Sequence, residues 1–71
     1  MQEFKKRLLT KYDDIISELE EIDRVCKLTL EEASSKVNYT ESDISMLSVF
    51  ARDNNRRLQF AKAERDLINK Y

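Results

Sequence analysis

The side chains of this sequence that could carry chemistry are one cysteine, a run of carboxylates and several hydroxyls. Cys26 is the single cysteine and there is no histidine, so a cysteine or serine nucleophile would have no imidazole to take its proton. Six acids lie between residues 12 and 23, but on a helix they spread around the circumference and do not converge. The chain also has no glycine and so no glycine-rich loop for a phosphate. We predict that the protein is not an enzyme and uses no cofactor or metal.

The composition of the chain limits its fold class and its possible partners. Glycine and proline are both absent from the 71 residues, which favours an all-α protein because sheets and loop-rich folds use them in turns. Charged residues make up 38% of the chain, yet the net charge is −1, and this balance argues against a nucleic-acid partner, which normally requires an excess of basic residues. No apolar run is long enough to span a membrane. A free cysteine without a signal peptide indicates a cytoplasmic protein.

The first half of the chain carries one long apolar line. Its members recur at gaps of three and four residues, and on a helix they occupy a wedge about 80° wide. A chain this short buries a thin core and often needs a partner to be secure. The line therefore predicts a long helix that must lie against something else. Its members are Phe4, Leu8, Tyr12, Ile15, Leu19, Ile22, Cys26, Leu30 and Ala33.

Two interpretations apply where this line passes Thr29. Thr29 with Glu32 matches a capping box that could begin a new helix. However, Leu30 and Ala33 continue the apolar line in phase with Cys26, and a break would reset that phase. We favour one helix over about 3–35, and keep as the alternative a three-helix variant with a break near residue 28.

The second helix is predicted to begin after a short turn. Residues 34–39 are weak helix formers and leave the apolar line. Thr40 is then a candidate N-cap, with Asp43 three residues later. We predict a single antiparallel two-helix hairpin over residues 1–71, with a turn at about 36–40 and a helix over about 41–70. A partner chain, or dimerisation into a bundle, would complete this coiled-coil-like hairpin.

The register of the hairpin follows from the position of the turn. With a turn near residue 38, position i of the first helix faces roughly position 76 minus i. The acidic stretch 12–23 then lies beside 53–64, which contains Arg56, Arg57 and Lys62. Complementary charges of this kind favour the antiparallel alignment.

One face of the second helix is expected to meet the first helix. It holds Asn54 among apolar residues, and this amide is either partly exposed or buried where it fixes the register. The apolar members of the face are Ile44, Leu47, Phe50, Ala51, Leu58, Ala61 and Ile68. The predicted intramolecular seam consists of Leu8, Ile15, Leu19, Ile22, Leu47, Ala51, Leu58 and Ala61.

The second helix also has another apolar face, which the first helix cannot cover. Large exposed apolar patches usually mark interaction sites. We therefore predict a partner-binding surface on the outer face of the second helix. Its residues are Met46, Val49, Phe60, Ala63, Leu67 and Tyr71.

Three functions fit these features. The first is a protein-interaction module that binds another chain through the outer face of its second helix, as a small chaperone or co-chaperone, adaptor or assembly subunit does. The size and two-helix form are similar in architecture to the small co-chaperones of type III secretion needle proteins. The second function is a self-associating structural protein, a homodimer that forms a four-helix bundle. The third is a small transcription-associated regulator that binds a DNA-bound protein.

The third function comes from a resemblance over residues 29–43. Through Thr29-Leu30-Glu31, Lys36, Tyr39 and Ser42-Asp43, this stretch resembles the haemolysin-expression-modulating family of nucleoid-associated regulators. The chain has an additional N-terminal segment and lacks the Pro/Trp-containing tail of that family. No functional residue is therefore transferred from the family to this sequence.

Overall fold

Two long helices account for the architecture. A computed structural model of the protein describes residues 2–35 and 38–71, and within these ranges it contains no strand. Helix α1 spans Gln2–Ser35 and helix α2 spans Glu41–Lys70. The helices lie side by side and antiparallel, with the N-terminal end of α1 beside the C-terminal end of α2. The predicted all-α hairpin is confirmed, while positions 36 and 37 of the predicted turn lie outside the described residues.

Helix α1 is continuous through Thr29. The Thr29 hydroxyl donates a hydrogen bond to the carbonyl of Val25 at 2.7 Å, four residues back along the same helix. This is the bond that a threonine makes inside a helix, whereas an N-cap hydroxyl accepts a bond from a backbone N–H ahead of it. The three-helix alternative is therefore wrong, and the apolar line that continues in phase past Thr29 correctly predicted a single helix.

Helix α2 begins with the predicted capping box. Thr40 has an extended backbone, and its hydroxyl accepts a hydrogen bond from the Asp43 N–H at 3.1 Å. The Asp43 carboxylate accepts one from the Thr40 N–H, also at 3.1 Å. Two backbone donors that the helix leaves unpaired are satisfied reciprocally. Glu41 and Asp43 also place negative charge at the positive end of the helix dipole.

Four contacts between the helices fix the register. Tyr12 donates to Glu64 at 2.7 Å, and Asp13 lies 2.6 Å from Arg65. The others join Lys5 to the carbonyl of Asn69 and Asn54 to the carbonyl of Leu19. The residue numbers of these pairs add to between 73 and 78, so the predicted facing rule holds.

The charge pairs between the helices differ from the predicted ones. Arg65, and none of Arg56, Arg57 and Lys62, provides the ion pair to the acidic stretch among the described residues. The reason is the direction of the side chains: Arg65 borders the contact with α1, whereas Arg56 and Arg57 are exposed.

The core is thin and lies midway along the hairpin. Its buried members are Ile16, Leu58 and Ala61, and Tyr12 and Leu19 pack against them. Cys26 and Ala33 are also buried, nearer the turn. Ile16 is the best-buried residue in the N-terminal half of α1. It lies outside the predicted apolar line, so the periodicity did not predict its burial.

Several residues expected against the partner helix are exposed instead. Ile15 and Ile22, both assigned to the seam, are 43% and 39% exposed, and Phe4 and Phe50 are exposed as well. On the helical wheel, the core-facing direction of Tyr12, Ile16 and Leu19 is roughly 50° away from the middle of the apolar line of α1. Around the core cluster the apolar line of α1 is therefore turned to one side of α2, and Ile15 and Ile22 are exposed for this reason. Nearer the turn, Cys26 and Ala33 belong to the line and are buried, so the line faces α2 there.

The hairpin is a thin rod. Its principal extents are 55 × 14 × 12 Å and its radius of gyration is 16.2 Å, whereas a compact domain of this length has about 11 Å. Its accessible surface is 5912 Å², compared with about 4,650 Å² for a compact monomer of the same mass. The hairpin therefore exposes an excess of roughly 1,250 Å² relative to a compact monomer.

Candidate protein-interaction face

The two sides of the rod differ in chemistry. One side is a shallow depression between the helices in which every lining residue except Leu58 is polar or charged. Asp23 and Lys27 form an ion pair there at 3.0 Å. This side has the character of a solvated surface. Its other lining residues are Glu20, Arg24, Asn55, Gln59 and Lys62.

The opposite side is apolar, and both helices build it. Ile22 and Val25 of α1 lie beside Phe50 of α2 in one shallow depression, and Ile15 of α1 lies beside Phe60 of α2 in the next. All five side chains are exposed. We call these five residues the groove face. A third depression, at the open end of the hairpin, is lined by Phe4 and Tyr71.

The groove face follows from the orientation of α1. Because the apolar line of α1 points to one side of α2 around the core cluster, its members there do not all reach the core. Ile15 and Ile22 are left at the edge of the seam, next to Val25, while Ile16 takes the buried position. The interaction surface predicted from the sequence belonged to α2 alone, whereas the structure has a groove face to which α1 contributes more residues.

The six predicted partner-binding residues are all exposed, and they spread over about 100° around α2. Phe60 and Tyr71 line depressions between the helices. Val49, Ala63 and Leu67 lie about 150–190° around α2 from the side that meets α1. The first pair therefore belongs with the apolar side of the rod, and the other three form the outer face of α2. Met46, also exposed, lies on the same side of α2 as Phe60 and Tyr71.

Charges of opposite sign border the groove face. Glu18 and Glu21 of α1 line the depression that contains Phe50. Arg56 and Arg57 of α2 line the depression that contains Phe60. Among the described residues, none of these four side chains forms an ion pair. Glu64 of α2 also lines the depression that contains Phe60, where it accepts the hydrogen bond from Tyr12. The charges that remain available to another chain are therefore acidic on the α1 border and basic on the α2 border.

Two polar contacts lie behind this surface and hold the helices together. Asn54 is buried, and its amide donates to the carbonyl of Leu19 at 3.0 Å. The hydroxyl of Tyr12 donates to Glu64 at 2.7 Å. This bond to a carboxylate, with some desolvation and the charge of Glu64, raises the pKa of Tyr12 above its usual value.

The residues considered for chemistry at the outset are not brought together. Cys26 is a free thiol buried in the interior, where a cysteine acts as a small apolar side chain. Across residues 2–35 and 38–71, no three metal-binding side chains are grouped to hold an ion. In the same ranges, neither helix contains an apolar stretch long enough to cross a membrane.

Comparisons with protein-family models, curated proteins and solved structures find no match for this chain. The groove face and its charged borders are therefore the features of this chain that indicate a function.

Proposed function

We propose that this protein is a non-catalytic helical interaction module whose groove face packs against amphipathic α-helices of a partner. The observation that carries the proposal is the groove face itself: five exposed large apolar side chains from two helices lie on one side of a rod whose other side is polar. Contiguous apolar surface with a charged rim is typical of a protein–protein interface.

The size of the surface supports the same proposal. The rod exposes roughly 1,250 Å² more than a compact monomer of its mass, and a standard interface buries about 800 Å² on each partner. Covering one side of the rod by that amount would remove most of the excess. A core with no fully buried large side chain among the described residues also gains most from added helices.

The borders of the groove face define the chemistry of the partner. A partner helix should be basic where it passes Glu18 and Glu21, and acidic where it passes Arg56 and Arg57. Its apolar stripe would lie between these charges, in the manner of helix-in-groove recognition. Small chaperones, adaptors and assembly subunits work in this way, and a free buried thiol suits a reducing, cytoplasmic setting.

The test is site-specific photo-crosslinking in cells that make the protein. Benzoylphenylalanine is placed at Phe50 on the groove face, at Leu67 on the outer face of α2, and at Gln59 on the polar side of the rod. Phe50 and Leu67 are matched, since they are 52% and 54% exposed, and Gln59 is exposed as well. We expect a discrete protein adduct from position 50 that is lost when Ile22→Ser is added, and none from position 59.

Each result has a defined meaning. An adduct from position 67 in place of position 50 would move the interface to the outer face of α2 and contradict the proposal. No adduct from any position, or equal adducts from all three, would reject the interaction module altogether. Circular dichroism of each variant confirms that the helices remain.

A further inference from the structure

The exposed apolar side chains of the two helices are matched in height along the rod. The contacts between the helices place residue i of α1 level with residue 75 minus i of α2, to within about three residues. By this rule Ile15 is level with Phe60, and Val25 is level with Phe50. Each pair also lines a shared depression. The groove face therefore presents apolar layers to which both helices contribute.

The orientation of α1 points to a bundle of four helices. In a hairpin that is complete by itself, the apolar line of each helix would point directly at its neighbour. In a square four-helix bundle each helix has two neighbours, and its apolar line points diagonally between them, about 45° from each. Around Tyr12, Ile16 and Leu19 the apolar line of α1 is turned by roughly 50° from the direction of α2 toward the groove face. This is the orientation that a four-helix core requires at that level, whereas Cys26 and Ala33 keep the line directed at α2 nearer the turn.

Resting on the proposed function, we infer that the occupant of the groove face is a second copy of this chain. Two hairpins packed groove face to groove face, about a two-fold axis parallel to the rod, form a four-helix bundle. Rotation about that axis leaves every residue at its own height. The layer of Ile15 and Phe60 then meets the same layer of the other copy, and so does the layer of Val25 and Phe50.

The charged borders select this axis. A two-fold axis along the rod places α1 of each copy against α2 of the other, so the acidic border meets the basic border. Glu18 and Arg57 are level with each other by the facing rule, and each lacks an ion-pair partner among the described side chains. In the dimer, Glu18 of each copy lies against Arg57 of the other. A two-fold axis across the rod instead places α1 against α1, where Glu18 and Glu21 would repel each other.

The area agrees with a dimer. Obligate homodimers bury about 1,000 Å² or more per copy, and burial on that scale would remove most of the rod's excess surface of roughly 1,250 Å². The same interface covers Ile15, Ile22, Val25 and Phe50, which the hairpin leaves exposed. It leaves the polar side of both rods facing solvent, as a discrete closed dimer requires.

A charge-swap experiment tests the second copy and the axis together. The full chain is studied by sedimentation equilibrium from 1 to 500 μM, and the wild type is expected to reach twice the chain mass of 8.5 kDa. Glu18→Arg alone, or Arg57→Glu alone, places like charges in both pairs of the dimer. Each single variant is expected to raise the dimer Kd about tenfold or more at low salt.

Mixing the two single variants provides the control. In the mixture, a heterodimer of the Glu18→Arg chain with the Arg57→Glu chain has opposite charges in both pairs. The mixture is therefore expected to dimerise within about threefold of the wild-type Kd, although neither variant does so alone. Exposed charges contribute little to the fold of one hairpin, and unchanged helical circular dichroism verifies this for each variant.

The outcomes that overturn the inference also separate it from the proposed function. A wild type that stays monomeric to 500 μM rejects the second copy, and a groove-specific crosslink to a different protein would still support the interaction module. A Glu18→Arg chain that dimerises more tightly than the wild type rejects the axis along the rod, because it would pair with Glu21 across the other axis. A mixture no better than its components rejects the pairing of Glu18 with Arg57.

Discussion

The buried amide of Asn54 donates a hydrogen bond to the carbonyl of Leu19 on the facing helix, at 3.0 Å. Asn54 is 2% exposed and lies among apolar residues, so an amide without a partner there would be costly. Sliding one helix past the other by one turn, about 5.4 Å, would separate these two groups. The pair therefore ties the stability of the hairpin to one register, the role that a single buried asparagine has in coiled coils.

We predict that Asn54→Asp destabilises the hairpin and that Asn55→Asp does not. A carboxylate at position 54 would be buried against the Leu19 carbonyl with no proton to donate, for a loss of about 2 kcal/mol or more. Asn55 is exposed on the polar side, and the same change there should cost less than about 0.5 kcal/mol. Urea unfolding followed by circular dichroism measures both, and equal losses would contradict a structural role for the amide.

The two threonines that match capping boxes should respond in opposite directions. Thr40→Ala removes the acceptor for the Asp43 N–H and should cost about 1 kcal/mol. Thr29 lies inside α1, where its hydroxyl bonds back to Val25. Thr29→Ala should therefore be neutral or stabilising by up to about 0.5 kcal/mol. Thermal unfolding of both variants compares them, and a destabilised Thr29→Ala would revive the helix break.

Sequence patterns predicted the helices of this protein more reliably than their orientation. The absence of glycine and proline, the apolar line past Thr29 and the cap at Thr40 each act locally, so the all-α class and the start of α2 could be predicted. The register could also be predicted, because in an antiparallel hairpin with a short turn the position of the turn alone decides which residues face each other. Asn54 remained undecided, since burial depends on which neighbours surround it.

The orientation of α1 could not be predicted in the same way. Periodicity shows which side of a helix is apolar, but it does not show whether one or two neighbours cover that side. Ile15 and Ile16 are both isoleucines, and the one that breaks the pattern is buried. The width of the apolar surface could have indicated a second neighbour. The apolar line is about 80° wide and Val25 widens it further, which is more than a single neighbouring helix covers.

The hydrogen bond from Tyr12 to Glu64 predicts a pH dependence above neutrality. The bond to Glu64 raises the pKa of Tyr12 in the folded state. The stability that it contributes is therefore fully present below the unfolded pKa of about 10. It is lost as the pH rises through the folded pKa. Tyr12→Phe should be less stable than the wild type at pH 7, and the difference should shrink above pH 10.

Guanidinium unfolding at several values between pH 7 and pH 11.5 measures this difference. Tyr71→Phe is the control, since Tyr71 is exposed at the end of the chain, and its difference from the wild type should stay flat with pH. A Tyr12→Phe difference that is constant or grows with pH would show that the bond does not hold the phenol proton.

Neighbouring isoleucines separate the core of one hairpin from the proposed dimer interface. Ile16 is 8% exposed and lies in the core cluster, whereas Ile15 is 43% exposed on the groove face. Ile16→Ala should cost about 2–4 kcal/mol in the free energy of unfolding. Ile15→Ala should cost less than about 1 kcal/mol when the chain is dilute and monomeric, because the side chain is already largely in water.

The protein concentration then distinguishes the two positions. Dimerisation stabilises the folded state by mass action, so the difference between the wild type and Ile15→Ala should grow between 1 and 500 μM. The difference for Ile16→Ala should remain the same, since its contacts lie within one copy. Chemical unfolding at both concentrations measures these differences. A constant, small effect of Ile15→Ala would show that Ile15 stays in water even when the chain is concentrated.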